Sequence, residues 1–98
     1  MNIQVRQDAL EKAARCLRVL AHPTRLLIIY FLGQGERSVQ ELERMVKASQ
    51  SSVSQHLNLL KDKEIVESRR AAQQVFYRLK DPRVLQLTGL TRELFCKE

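Results

Sequence analysis

Apolar positions recur with a helical period over the first two thirds of the chain and with a period of two after it. Between Asp8 and Leu20, Ala9, Leu10, Ala13, Cys16, Leu17 and Leu20 share one face, with Glu11, Lys12, Arg15 and Arg18 opposite, which predicts an amphipathic first helix. His22-Pro23 opens a second helix, because proline is tolerated in a first turn where its missing N–H is unneeded; His22 is read as the cap. Its run LLIIYFL, stopped by Gly33 and Gly35, is apolar all round and predicts a central, buried helix. Ser38-Val39-Gln40-Glu41 has the form of a capping box before a short third helix that buries Leu42, Met45 and Val46. Ser49 then caps a fourth helix, in which Val53, Leu57 and Leu60 repeat at i, i+4 and i+7. From Ile65 the alternation of Val66, Ser68 and Arg70 with Glu67 and Arg69, and of Val75, Tyr77 and Leu79 with Phe76 and Arg78, predicts a β-hairpin. Its turn near Ala71-Ala72-Gln73 lacks the Asn-Gly or Asp-Gly of a tight hairpin, so a longer loop is expected. Asp81-Pro82 supplies a cap and first-turn proline for a last helix carrying Val84, Leu85, Leu87, Leu90 and Leu94, with Gly89 inside it for a packing reason. The expected fold is mainly α with a β-hairpin, in the order α-α-α-α-β-β-α.

Ninety-eight residues build one hydrophobic core, so residues 1–98 are read as one domain. The longest apolar run, Leu26 to Leu32, is far shorter than the roughly 20 residues a bilayer-spanning helix needs, so no membrane partner is expected. The amino-terminal MNIQVRQDALEK has no apolar stretch of signal-peptide character, which points to the cytoplasm. Cys16 and Cys96 form no CxxC pair, which argues against a stapled secreted fold and a zinc ribbon. With 17 Lys and Arg against 11 Asp and Glu, the net charge of +6 makes a polyanion the first partner to consider. Residues 44 to 80 hold eight of those cations (Arg44, Lys47, Lys61, Lys63, Arg69, Arg70, Arg78, Lys80) against Asp62, Glu64 and Glu67, leaving five of the six net charges there. Phosphate contacts are expected on that stretch.

Placing Val53, Leu57 and Leu60 inward turns Ser51, Ser54, Gln55 and Asn58 outward, with Gln50 at the leading edge. That face is polar yet nearly uncharged. A merely solvated face would carry Lys and Glu, whereas short hydroxyls and amides suit base edges in a major groove. His56 falls nearer the Val53/Leu57 side, which favours a partly buried packing role over DNA contact.

The segments A-H-P-T-R-L-L-I-I, S-V-Q-E-L, S-Q-S-S-V-S-Q-H-L-N-L-L-K and V-F-Y-R-L resemble, in that order and over nearly the whole chain, the ArsR/SmtB winged helix-turn-helix repressors. The resemblance implies a homodimer paired through its first and last helices and a recognition helix at Ser49 to Lys61. It further implies a wing at Val66 to Leu79 and a palindromic double-stranded operator touched by Gln50, Ser51, Ser54 and Gln55. The thiolate metal motif of that family is missing, because Ser38-Val39-Gln40-Glu41-Leu42 contains no sulfur. The last-helix motif is missing too, because Asp81 to Glu98 contains no histidine. No metal site of known pattern and no cofactor are therefore expected. The HlyU/BigR-like thiol-switch subgroup is closer: its second cysteine occupies a setting like Leu94-Phe95-Cys96, but its first aligns with Tyr30, so Cys16 is the candidate substitute. Cys96, flanked by Lys97, is favoured as the reactive thiol because a nearby cation promotes thiolate. The reading is a transcriptional repressor relieved by thiol oxidation or persulfidation at Cys16 and Cys96. Rival readings are a metalloid-responsive repressor using thiolates of both subunits and a basic nucleic-acid or protein adaptor. A thiol enzyme is disfavoured, since no CxxC, histidine or threonine sits beside either cysteine.

Overall fold

The computed structural model describes residues 6–96 and contains five helices and a small sheet. Helix α1 (Gln7–Leu20) runs into α2 (Pro23–Leu32), where the His22 imidazole accepts the Thr24 N–H at 3.1 Å and caps the helix as expected. A two-residue strand β1 (Arg37–Ser38), absent from the expected order, precedes α3 (Val39–Val46). The capping box is present: Ser38 Oγ accepts the Glu41 N–H at 3.1 Å, and the Ser38 N–H donates to Glu41 Oε1 at 2.9 Å. Then come α4 (Gln50–Asp62), β2 (Val66–Ala71), β3 (Gln74–Leu79) and α5 (Arg83–Phe95). The sheet is antiparallel in the order β1-β3-β2, with Arg37 opposite Tyr77 and Val66 opposite Leu79.

Three expectations are corrected. The hairpin loop is not long: Ala71 pairs with Gln74, leaving a two-residue turn with Ala72 at φ 56°. Pairing along the rest of β2 and β3 holds alanine in a conformation normally left to glycine or asparagine. Second, α5 starts one residue later than its sequence signal, because Pro82 stands at the N-cap and the Asp81 carboxylate takes the Arg83 N–H at 2.9 Å. Third, α2 is not buried all round. Ile28, Ile29 and Leu32 are enclosed, but Leu26, Leu27 and Tyr30 are exposed, since within the chain only one side of α2 faces α3 and α4.

The core unites α2 with Leu42 of α3, Val53, Leu57 and Leu60 of α4, and Val66 and Tyr77 of the sheet. Burial of these side chains stabilises the fold by roughly 1.5–3 kcal/mol each. They fix α4 and the hairpin against one another. The outer helices contrast with this centre: α5 has no buried residue, and Leu17, Leu90 and Leu94 are 51%, 51% and 60% exposed. Gly89 has no packing reason inside the chain, because a Cβ there would meet nothing within 4 Å.

Candidate nucleic-acid interface

The serine at the start of α4 organises its first turn. Ser49 Oγ accepts the Ser52 N–H at 3.2 Å and lies 3.3 Å from Ser51 Oγ. This satisfies one of the backbone donors that every helix N-terminus leaves unpaired. Val53, Leu57 and Leu60 are fully enclosed, so the opposite stripe must face outward: Gln50, Ser51, Gln55 and Asn58 are exposed and Ser54 is half-buried. The five side chains expected on one face are therefore brought together there. Lys47, at φ 56°, ends α3 in the left-handed region that closes the turn before Ser49. At the other end of α4, Lys61 Nζ donates to Ser68 Oγ of β2 at 2.9 Å, tying the helix to the hairpin.

The two arginines of β2 differ. Arg69 is held: its Nε and Nη2 donate to Glu36 Oε2 and Oε1 at 2.9 and 2.6 Å, and its guanidinium lies 5.0 Å from the centre of the Phe76 ring. The guanidinium hydrogen bonds hold the Glu36 carboxyl below the usual carboxylate range. Arg70 is exposed and, among the described residues, has no carboxylate partner. Arg78 pairs with Glu67 and Lys80 with Glu64, each at 2.6 Å. Part of the local positive charge is thus compensated in and beside the hairpin, while Arg44, Lys47, Lys61, Lys63 and Arg70 have no carboxylate partner among the described residues. Sequence reading missed Glu36 and Phe76 as holders of Arg69, since Glu36 lies 33 positions away and no local signal joins them.

Cys16 lies in α1, and Cys96 stands at the carboxyl end of α5. Cys16 is half-buried and lines a groove with Leu17, Ile65, Val84 and Leu87, whereas Cys96 is exposed and ends α5 with its N–H on the Arg92 carbonyl at 2.9 Å. Tyr30, the position aligned with the subgroup's first cysteine, instead lies beside the last turn of α5, its ring 5.7 Å from the Arg92 guanidinium. Lys97 lies outside the described residues. Among the described residues, no three His, Cys, Asp or Glu side chains gather as a metal set, and no helix is long and apolar enough to cross a membrane.

Residues 22–68, from the cap of α2 into the hairpin, match the family described as bacterial regulatory protein, arsR family. The chain is 38% identical over 96 residues to the biofilm growth-associated repressor of Xylella fastidiosa (strain Temecula1 / ATCC 700964), covering 95% of this chain and 84% of that protein. It is 37% identical over 97 residues to the transcriptional activator HlyU of Vibrio cholerae, covering 99% and 90%. The solution structure of the homodimeric winged helix-turn-helix DNA-binding domain Mb0332 from Mycobacterium bovis superimposes with a TM-score of 0.81 at 31% identity, covering 96% and 89%. In similarity extending over almost its full length, and in the helix-turn-helix and hairpin built by its own residues, this chain belongs to the ArsR family of bacterial regulatory proteins.

Proposed function

We propose that residues 1–98 form one winged helix-turn-helix domain, a cytoplasmic, non-enzymatic transcriptional repressor that binds a palindromic double-stranded operator as a homodimer. The observation that carries the reading is the uncharged polar stripe Gln50, Ser51, Ser54, Gln55 and Asn58 on a rigidly anchored helix, flanked by Lys47, Lys61 and Arg70. In this reading α4 enters the major groove, where amides and hydroxyls meet base edges, and the cations take phosphates at its margins. Arg69 contributes once it leaves Glu36 for a phosphate. The homodimer rests on the exposed leucines of α1 and α5 and on the homodimeric neighbour from M. bovis. Repression rather than activation rests on the Xylella relative, since HlyU is named an activator.

The signal in this proposal is modification of a thiol, with the exposed Cys96 as its main site. A metalloid reading would draw on Cys16 and Cys96 of both protomers, because each chain holds only two thiols. An adaptor that binds by shape alone is disfavoured by the serine and amide stripe.

Selection of duplexes from a random-sequence pool, followed by fluorescence anisotropy across a salt series, tests the reading. Arg70→Ala should weaken binding to selected and random duplexes alike and lower the salt slope by about one for each phosphate no longer neutralised. Ser54→Ala with Gln55→Ala should instead erase the preference for the selected duplex, since each base-directed pair is worth about 1–3 kcal/mol of discrimination. Unchanged preference in that double variant would show that α4 does not read the bases.

A further inference from the structure

On the side of α4 away from its polar stripe, three side chains form a cluster that the DNA-binding reading does not use. His56 Nδ1 lies 3.2 Å from Arg25 Nη1, and the His22 and His56 ring centres are 4.6 Å apart at 49°. A guanidinium only donates, so His56 Nδ1 must be the acceptor and the ring neutral, with its proton on Nε2. Arg25 Nε also donates to the Val19 carbonyl, so one side chain joins the end of α1, the start of α2 and the middle of α4. His22 is fixed in turn, because its Nδ1 accepts the Thr24 N–H.

We propose that Arg25 is a positioning residue for the recognition helix, acting through neutral His56, and that protonation of His56 releases α4 and weakens binding to DNA. This rests on the assignment of α4 as the DNA-reading element. A proton on Nδ1 would turn the acceptor into a donor facing a donor. It would also add a cation beside Arg25 and the N-terminus of α2, where the helix dipole is already positive. Among the described residues, the charged and titratable groups facing His56 are Arg25 and His22; α1 offers the cluster the Val19 carbonyl. Burial, reinforced by His22 and Arg25, holds His56 protonation below the ordinary 6.5. The hydrogen bond from Arg25 is therefore intact above that value and breaks progressively as the pH falls below it.

The test compares wild type with His56→Asn, whose Oδ1 stands on Cγ as Nδ1 does and can accept from Arg25 but does not titrate. The probe is a duplex selected from a random pool at about pH 7.5, with anisotropy read from about pH 7.5 to 5.5 at fixed salt. Wild-type affinity should fall by about two- to tenfold per protomer, as the competent fraction falls, while the affinity of His56→Asn, read against its own value at the upper pH, stays flat. Equal pH profiles, or tighter wild-type binding in acid, would overturn the proposal. A DNA-free arm keeps the two readings separate: ring-nitrogen NMR should show His56 Nδ1 unprotonated at neutral pH and titrating below 6.5, with Arg25→Met moving that titration upward. If no preferred duplex emerges, the DNA reading fails and the ring titration alone decides; an unshifted His56 that is indifferent to Arg25→Met overturns the coupling.

Discussion

Ser38 shows how much one small side chain can organise. It is buried, its hydroxyl caps α3, its N–H binds the Glu41 carboxylate, and its backbone pairs with Phe76 in the sheet. Ser38→Ala should lower stability by about 1 kcal/mol in urea unfolding, the usual cost of removing an N-cap. The hydrogen bond from the Ser38 N–H is the main cause that holds the Glu41 carboxyl below 4.5. A carboxylate with a depressed folded value stabilises above its unfolded value, and that contribution is lost as the pH falls through the folded one. Unfolding midpoints at about pH 7 and pH 3.5 should thus differ more in wild type than in Glu41→Gln. The capping box was readable directly from Ser38 and Glu41, because both partners lie within one turn. The attachment of Arg69 to Glu36 was not, because 33 residues separate them and only the packing of the hairpin beside the α2–β1 connection brings them together.

At the scale of elements, periodicity carried most of the information. The i, i+4, i+7 repeat of Val53, Leu57 and Leu60 identified both the helix and its outward stripe, because a buried face on a regular helix leaves no freedom to the opposite one. The hairpin was legible from its period of two, but its turn was not. Turn chemistry reports glycine and asparagine, whereas here the ladder from Val66–Leu79 to Ala71–Gln74 imposes φ 56° on Ala72. Of the two cysteines, Cys96 is the exposed one, so a thiol response should run through it. Persulfide treatment should lower the affinity of wild type and Cys16→Ser for a selected duplex and leave Cys96→Ser unaffected. Loss of the response in Cys16→Ser as well would instead indicate a Cys16–Cys96 bond.

For the whole molecule, the distribution of exposed apolar side chains is the main unexplained quantity within one chain. Leu10 and Leu17 on α1, and Leu87, Leu90 and Leu94 on α5, lie outside the core although helical spacing placed them on apolar faces. A second protomer would cover them, and Gly89 leaves room for its approach. Leu90→Asp with Leu94→Asp should therefore sediment as a folded monomer and bind a palindromic duplex more weakly, since one protomer reaches one half-site. A tight dimer in that variant would exclude α5 from the interface. What the sequence determined by itself is local: the caps at His22, Ser38 and Ser49, the two periodicities, and the uncharged stripe of α4, all set by bonds and directions within a few residues. Only the tertiary structure decided which charges are neutralised, that Cys96 is exposed while Cys16 is half-buried, and that Arg25 meets His56. Those outcomes depend on contacts between residues remote in sequence, whose separations are fixed only when the helices and sheet close around a common core.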